Sequence, residues 1–224
     1  MIWSYDKYQP DAQENYVQLA LFDPVPPKGV DINFQTPPAV CEYMARFIPK
    51  NAVTVLEPTP GIGNLSRVVK ENGFNVTEPD NFFELDLKQK FDCVIMNPPF
   101  SSKYAFGVPD HIKDTGMRLG YFILNQCMAL SDNIIALAPW FTISDSDLRL
   151  KTIKDYGLQY IIALPRKTFN YARIQTVILV MQKGYTGETI FKTWRFPAAN
   201  STLTTNPCLG SAEALTLTPN PLPL

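Results

Sequence analysis

The sequence predicts an α/β fold, a mainly parallel sheet with helices on both faces, and three observations carry that prediction. Short continuous apolar runs at 53–57, 74–77, 82–85, 93–96, 134–138, 160–164 and 176–181 read as strands buried on both sides. Helical patterns over 38–47, 65–71, 119–130 and 147–156 connect them. A glycine turn and an acceptor-rich corner each follow directly on a strand, and open parallel sheets bind ligands beyond the carboxyl ends of their strands. The 224 residues, 46% of them hydrophobic, suit one such domain.

Composition narrows the class further. No apolar run approaches the roughly 20 residues that span a bilayer, and residues 1–10 lack a basic segment followed by an apolar one, so no membrane segment or signal peptide is expected. Cys41, Cys93, Cys127 and Cys208 form no C-x-x-C, and His111 is the single histidine, so no metal site is expected and a reduced, cytoplasmic protein is the natural reading. The net charge of −1 hides an asymmetry: residues 1–100 carry 8 Lys+Arg against 13 Asp+Glu, residues 101–195 carry 12 against 7. The second half can face a polyanion, although ordinary solvated surface gives the same split. Residues 1–30 are polar and punctuated by proline, reading as a flexible N-terminal arm; 31–196 form the domain; 197–224, rich in Ser, Thr, Asn and Pro, read as a flexible tail.

The first strand runs into Glu57-Pro58-Thr59-Pro60-Gly61-Ile62-Gly63-Asn64, and a helix starts near Leu65. Glycines let the backbone approach a ligand, and a helix start offers unpaired N–H groups. The turn alone also suits a plain strand-to-helix connection. The leading carboxylate favours a cationic sulfonium bearing an ammonium group over a pyrophosphate, hence S-adenosylmethionine over a dinucleotide. The second strand ends at Glu78-Pro79-Asp80, where an acid commonly accepts from ribose hydroxyls; Glu78 is preferred because it directly follows the apolar residues, with Asp80 or an exposed turn as alternatives. After the third run, Asp86 can bond the cofactor's adenine amine while Leu87 and Ile62 flank its ring, or Asp86 can serve as a cap or surface acid.

The chemistry is read from Phe91 to Phe100, a buried strand entering Asn97-Pro98-Pro99-Phe100. Two prolines fix the backbone and remove two N–H donors. Two acceptors remain, the Asn97 side-chain oxygen and the Pro98 carbonyl, which match the two protons of a planar aromatic amine. Gripping both protons bends the nitrogen toward a nucleophilic geometry, a stabilisation by preorganised dipoles. Phe100 supplies an apolar face for the base.

Glu57–Asn64 and Asn97–Phe100 resemble motifs of the class I, amino-group-specific methyltransferases. Phe34-Gln35-Thr36-Pro37-Pro38 resembles the N-terminal cofactor motif of adenine-N6-specific DNA methyltransferases of the TaqI-like (gamma) order, and the stretch from Ile161 through Pro165, Phe169, Ala172 and Thr176 to Val180 resembles that family's late strand–loop–strand. The resemblance covers about residues 31–185. It implies a Rossmann-like class I methyltransferase fold, with a seven-stranded, mainly parallel sheet and an antiparallel last strand. It implies that Thr36, Glu57, Pro58, Gly61, Gly63, Glu78, Asp86, Leu87 and Asn97 bind S-adenosylmethionine, and that Asn97, Pro98, Pro99 and Phe100 carry the reaction. Phe100 and Phe169 would stack against a flipped adenine, Phe169 alternatively being ordinary core.

The chain departs from the family in having no evident target-recognition domain after the last strand, and in Pro60 within the glycine turn. A short site read through the loop 101–117, non-specific action, or a separate recognition subunit would each supply a target. Lys103, Lys113, Arg118, Arg166, Lys167 and Arg173 can meet phosphates or simply face water. In the arm, Gln18-Leu19-Ala20-Leu21-Phe22 resembles the peptide by which bacterial DNA enzymes dock on the replicative sliding clamp, through Gln18, Leu19, Leu21 and Phe22; packing on the chain's own surface is the alternative. The expected function is transfer to adenine N6 in DNA, as in restriction-modification. The alternatives are a purine amine in ribosomal or transfer RNA, a protein glutamine amide, or a non-catalytic methyltransferase-fold subunit that needs a partner.

Overall fold

The computed structural model describes residues 35–100, 108–113, 119–169 and 174–195. The arm with its Gln18–Phe22 peptide, the tail, Phe34, most of the 101–117 loop, Arg118 and Arg173 lie outside them.

Helix α1 (Pro38–Ala45) begins with proline at its first position, where the missing N–H has no intrahelical role. Strand β1 (Thr54–Leu56) leads through the glycine turn to α2 (Asn64–Glu71), then to β2 (Asn75–Thr77) and β3 (Cys93–Met96). Short α3 (Asp110–Lys113) and longer α4 (Leu119–Leu130) precede β4 (Asn133–Pro139). Helices α5 (Phe141–Ser144) and α6 (Asp147–Gly157), strands β5 (Leu158–Ala163) and β6 (Thr176–Gln182), and finally β7 (Ile190–Thr193) complete the order. Ser146 caps α6 by accepting the Arg149 N–H at 3.3 Å.

Among the described residues seven strands form one sheet, in the order β2-β1-β3-β4-β6-β5-β7. All neighbours are parallel except the two pairs made by β6, which runs antiparallel to β4 and β5. The expected Rossmann-like, mainly parallel architecture is therefore present, with two differences of detail. Phe82–Glu84 is a 3-10 turn and not a strand, because Asn81 accepts the Phe83 N–H at 3.1 Å and its amide donates to Glu84 at 3.0 Å. The seventh strand is β7 at the far edge, parallel to β5, so the antiparallel strand is the penultimate one in the chain.

Alternation along the strands divides the core in two. Leu56, Val94, Met96, Ile134 and Ala136 face α4 and α6, in a cluster with Ile123, Leu124, Cys127 and Ile153. Val55, Cys93, Ile95, Ile135 and Leu137 face the other way, against Val40, Met44, Leu65 and Val69 of α1 and α2. The amino-terminal ends of β1 and β3 are pinned by Asp92, whose Oδ2 accepts the N–H groups of Val53 and Thr54, both at 2.8 Å. Cys41, Cys93 and Cys127 are buried free thiols, and burial pushes those of Cys41 and Cys93 up to about 12, so they stay protonated. Among the described residues no helix is long and apolar enough to cross a membrane.

Gly157 closes α6 at φ +131°, where a β-carbon would fall 1.9 Å from the backbone oxygen of Gln182. Backbone on both sides cannot yield as a side chain would. Gly157→Ala is expected to lower the unfolding free energy by about 3 kcal/mol or more, read from the urea midpoint. A loss below about 1 kcal/mol would refute this contact.

Candidate cofactor and amine-binding site

Strand order places the site. The chain moves outward from β1 to β2, then returns to the other side of β1 as β3, so β1 and β3 flank the point where strand order reverses. Ligands in open α/β sheets bind in the crevice beyond the carboxyl ends at that point. The glycine turn follows β1 and the Asn97–Phe100 corner follows β3, and Leu56 sits beside Val94 in parallel register. Both sequence motifs therefore leave the sheet side by side, at the end where such a crevice forms.

The turn needs its glycines. Gly63 donates to Pro60 O at 2.8 Å, closing a four-residue turn in which Gly61 has φ +59°. Gly63 stands before α2 at φ +81°. Pro60 contributes only its carbonyl to this turn, so its missing N–H does no harm. A β-carbon on Gly61 would lie 2.5 Å from Gln35 Oε1, and that oxygen accepts the Ile62 N–H at 3.2 Å.

Three segments are tied together here. Asn97 Nδ2 donates to Thr36 Oγ1 at 3.0 Å, Asn64 Nδ2 donates to Thr36 O at 3.2 Å, and Thr59 Oγ1 donates to Asn97 O at 3.4 Å. The strap before α1, the glycine turn and the corner after β3 thus meet on Thr36 and Asn97. Thr36 is 4% exposed, and Pro98 is buried while Asn97, Pro99 and Phe100 are half-buried.

The acids sit on the same side. Leu56 and Thr77 are register partners, so Glu57 and Glu78 leave β1 and β2 next to one another. Glu57 is 2% exposed and accepts from Ser66 Oγ at 3.0 Å. Burial pushes its carboxyl up to about 8; hydrogen bonds from Ser66 work against this, and Glu78 adds to it. Burial also raises Glu78, but hydrogen bonds from Lys70 and Ser66 with the Lys70 charge outweigh it, leaving Glu78 below its ordinary value.

Other predicted residues stand apart from this knot. Asp86 is exposed and accepts the Lys88 N–H at 3.0 Å within a turn, as a surface acid does. Leu87 is 46% exposed. Phe169 is 6% exposed and lies in the apolar cluster of α1 and α2, against which Phe100 also packs. Arg166 and Lys167 are exposed beyond β5. Sequence reasoning passed over Gln35, Thr59, Asn64, Ser66 and Lys70. Ser66 alone carried a readable signal, a hydroxyl on the buried stripe of an amphipathic helix beside Leu65 and Val69. The others act through partners more than 25 residues distant or through a surface ion pair.

No family model matches the chain, and no curated protein does. Solved structures do. A candidate class I S-adenosylmethionine-dependent methyltransferase from Listeria monocytogenes superposes with a TM-score of 0.56 at 20% identity, over 80% of this chain and 71% of that one. The modification subunit of a candidate type I restriction enzyme from Vibrio vulnificus YJ016 gives 0.54 at 17% identity, over 84% and 52%. The M protein of the type I restriction enzyme EcoKI gives 0.51 at 15%, over 70% and 45%. The chain spans about half the length of these two restriction-enzyme proteins. With the sheet order and the crevice above, these likenesses establish the architecture: the chain has the Rossmann-like fold of the class I methyltransferases.

Proposed function

We propose that this chain is an S-adenosylmethionine-dependent methyltransferase acting on the exocyclic N6 amine of adenine in DNA. One observation carries the reading: Asn97, at the mouth of a proline-fixed corner, is held by Thr36 and Thr59 directly beside the glycine turn.

The residues present suit the cofactor. Glu57 is a buried acid that accepts from the neutral Ser66, so a cationic ligand nearby gains from its ionisation. Glu78, at the end of β2, would take the ribose hydroxyls, and Gly63 leaves room for close approach beside it, the space at Gly61 being filled by Gln35. Thr36 and Pro58 would complete that wall, and the exposed Asp86 and Leu87 would meet the adenine end only from outside the Thr36–Asn97 contacts. When bound, the cofactor supplies an electrophilic methyl group. Asn97 would present its side-chain oxygen to one N6 proton and Pro98 its carbonyl to the other. With Nδ2 turned to Thr36 Oγ1, the amide oxygen lies on the side away from Thr36. Gripping both protons would localise the nitrogen lone pair on N6 and hold it ready to accept a methyl group, the surplus proton passing to solvent. Phe100 would stack on the base, with Phe169 bordering the same cluster. A base within a duplex must first be flipped out, at a cost of a few kcal/mol.

Target choice would come from outside the described domain. The listerial protein and the restriction subunits share the fold, and a separate recognition subunit is one route to a target. Docking of Gln18, Leu19, Leu21 and Phe22 on a sliding clamp is a second route to DNA.

Purified chain incubated with methyl-labelled cofactor and duplex DNA, ribosomal RNA or a glutamine-bearing protein is expected to label DNA, with the label recovered as N6-methyladenine after digestion. Label confined to RNA or protein would replace the substrate, and no label on any of them, with or without a recognition subunit, would reduce the chain to a non-catalytic subunit.

A further inference from the structure

We propose that Gly120, on α4, is a positioning residue that sets the height of the Asn97–Phe100 corner; this inference rests on the corner's role in the proposed function. Gly120 is buried at the second position of α4, and no left-handed φ explains it. Glycine is the least favourable non-proline residue within a helix, so its presence there needs another reason. The reason is close approach. A β-carbon at 120 would lie 3.2 Å from Pro99 O, 3.5 Å from Pro98 Cγ and 3.8 Å from Phe100 Cα, touching three consecutive residues of the corner.

The corner has little freedom to move away. Prolines 98 and 99 have fixed φ, Pro98 is buried, and the strand feeding them is in register with β4 through Met96 and Ala136. At Asn97 both the carbonyl and the side-chain nitrogen are engaged, by Thr59 and Thr36. A methyl group at 120 therefore requires a few tenths of an ångström of adjustment between α4 and Pro99, and whatever part the corner takes up is passed through its fixed prolines to the Pro98 carbonyl and the Asn97 amide. Alignment of two acceptors on one amine is sensitive to displacements on that scale, since about 1 Å of misplacement can cost roughly 100-fold in rate. The helix itself gains from alanine, so the fold is retained while the chemistry is impaired.

The test compares Gly120→Ala with Asn125→Ala, an exposed position on the same helix where alanine also raises helix propensity. Gly120→Ala is expected to melt near the wild-type temperature and to keep the wild-type cofactor affinity by calorimetry. Its kcat should fall about tenfold with little change in KM, and the Asn97 side-chain amide resonances should shift; Asn125→Ala should match wild type in each. A wild-type kcat in Gly120→Ala, or unmoved Asn97 resonances, overturns the proposal. So does a Gly120→Ala chain that is unfolded, because Gly120 then serves helix packing and not the corner. If the wild-type chain transfers no methyl group, the functional reading fails separately, and the Asn97 resonances alone decide the role of Gly120.

Discussion

Asn97→Ala is expected to lower the single-turnover rate of methyl transfer by about 100- to 1000-fold, the usual effect of deleting one preorganised group that stabilises the transition state. Half of the acceptor pair disappears, while the Pro98 carbonyl stays because prolines, and not the Asn97 side chain, shape the corner. The Asn97 carbonyl can still receive Thr59, so the glycine turn keeps its neighbour. Cofactor affinity should therefore remain within a few-fold of wild type. Stability should fall modestly, by about 1–2 kcal/mol, because the Thr36 hydroxyl, 4% exposed, loses the Nδ2 donor at 3.0 Å. Rapid-quench transfer assays with calorimetric titration of the cofactor separate the two effects. Transfer within threefold of wild type would remove Asn97 from the mechanism.

Why this corner was legible in the sequence, and other features were not, follows from the range of the forces involved. Asn97-Pro98-Pro99-Phe100 and the Gly61/Gly63 turn are short-range constraints, with fixed φ in one and left-handed φ in the other, so residue identity alone announces them. The central strands β3, β4 and β6 are buried on both faces and read as unbroken apolar runs. Strand β7 escaped because Ile190, Phe191, Lys192 and Thr193 are all exposed; its pairing with β5 is a backbone property that leaves no apolar pattern. Phe82-Phe83-Glu84 misled for the opposite reason. Its apolar character is real, since Phe82 is buried, but a run that short does not distinguish strand from turn. The Asn81 cap, bonded to the Phe83 N–H and to the Glu84 side chain, was the cue that favoured the turn. Asp86 shows the same competition: a carboxylate after an apolar run satisfies a ligand or its own Lys88 N–H equally well on paper. The links from Gln35 to Ile62 and from Thr36 to Asn97 join residues 27 and 61 positions apart, a proximity created by the sheet order together with the packing of α1 on α2.

Glu57→Gln is expected to change how stability depends on pH. The wild-type carboxyl titrates near 8 in the folded chain against an ordinary value of 4.5, because burial outweighs the Ser66 hydrogen bonds and Glu78 repels its charge. Between those values the folded chain holds a proton that the unfolded chain has released. The stabilisation from this group is therefore complete below about 4.5 and declines as pH rises through about 8, by up to about 1.4 kcal/mol per pH unit. Integrated over the window, the decline amounts to roughly 3–5 kcal/mol as an upper bound. Glu78, held below its ordinary value, acts in the opposite sense and at lower pH, where its contribution is lost on acidification. Glutamine keeps an acceptor for Ser66 and cannot ionise, so the variant should gain on wild type steadily from pH 5 to pH 8.5 in urea unfolding. A cationic cofactor works on the same proton from the other direction: wild-type affinity should rise with pH up to about 8, with proton release on binding, whereas the glutamine variant should bind more weakly and with little pH dependence. Parallel stability curves for the two proteins would mean that Glu57 ionises normally in the fold, and its charge would then already be present to meet a sulfonium without any coupling to pH.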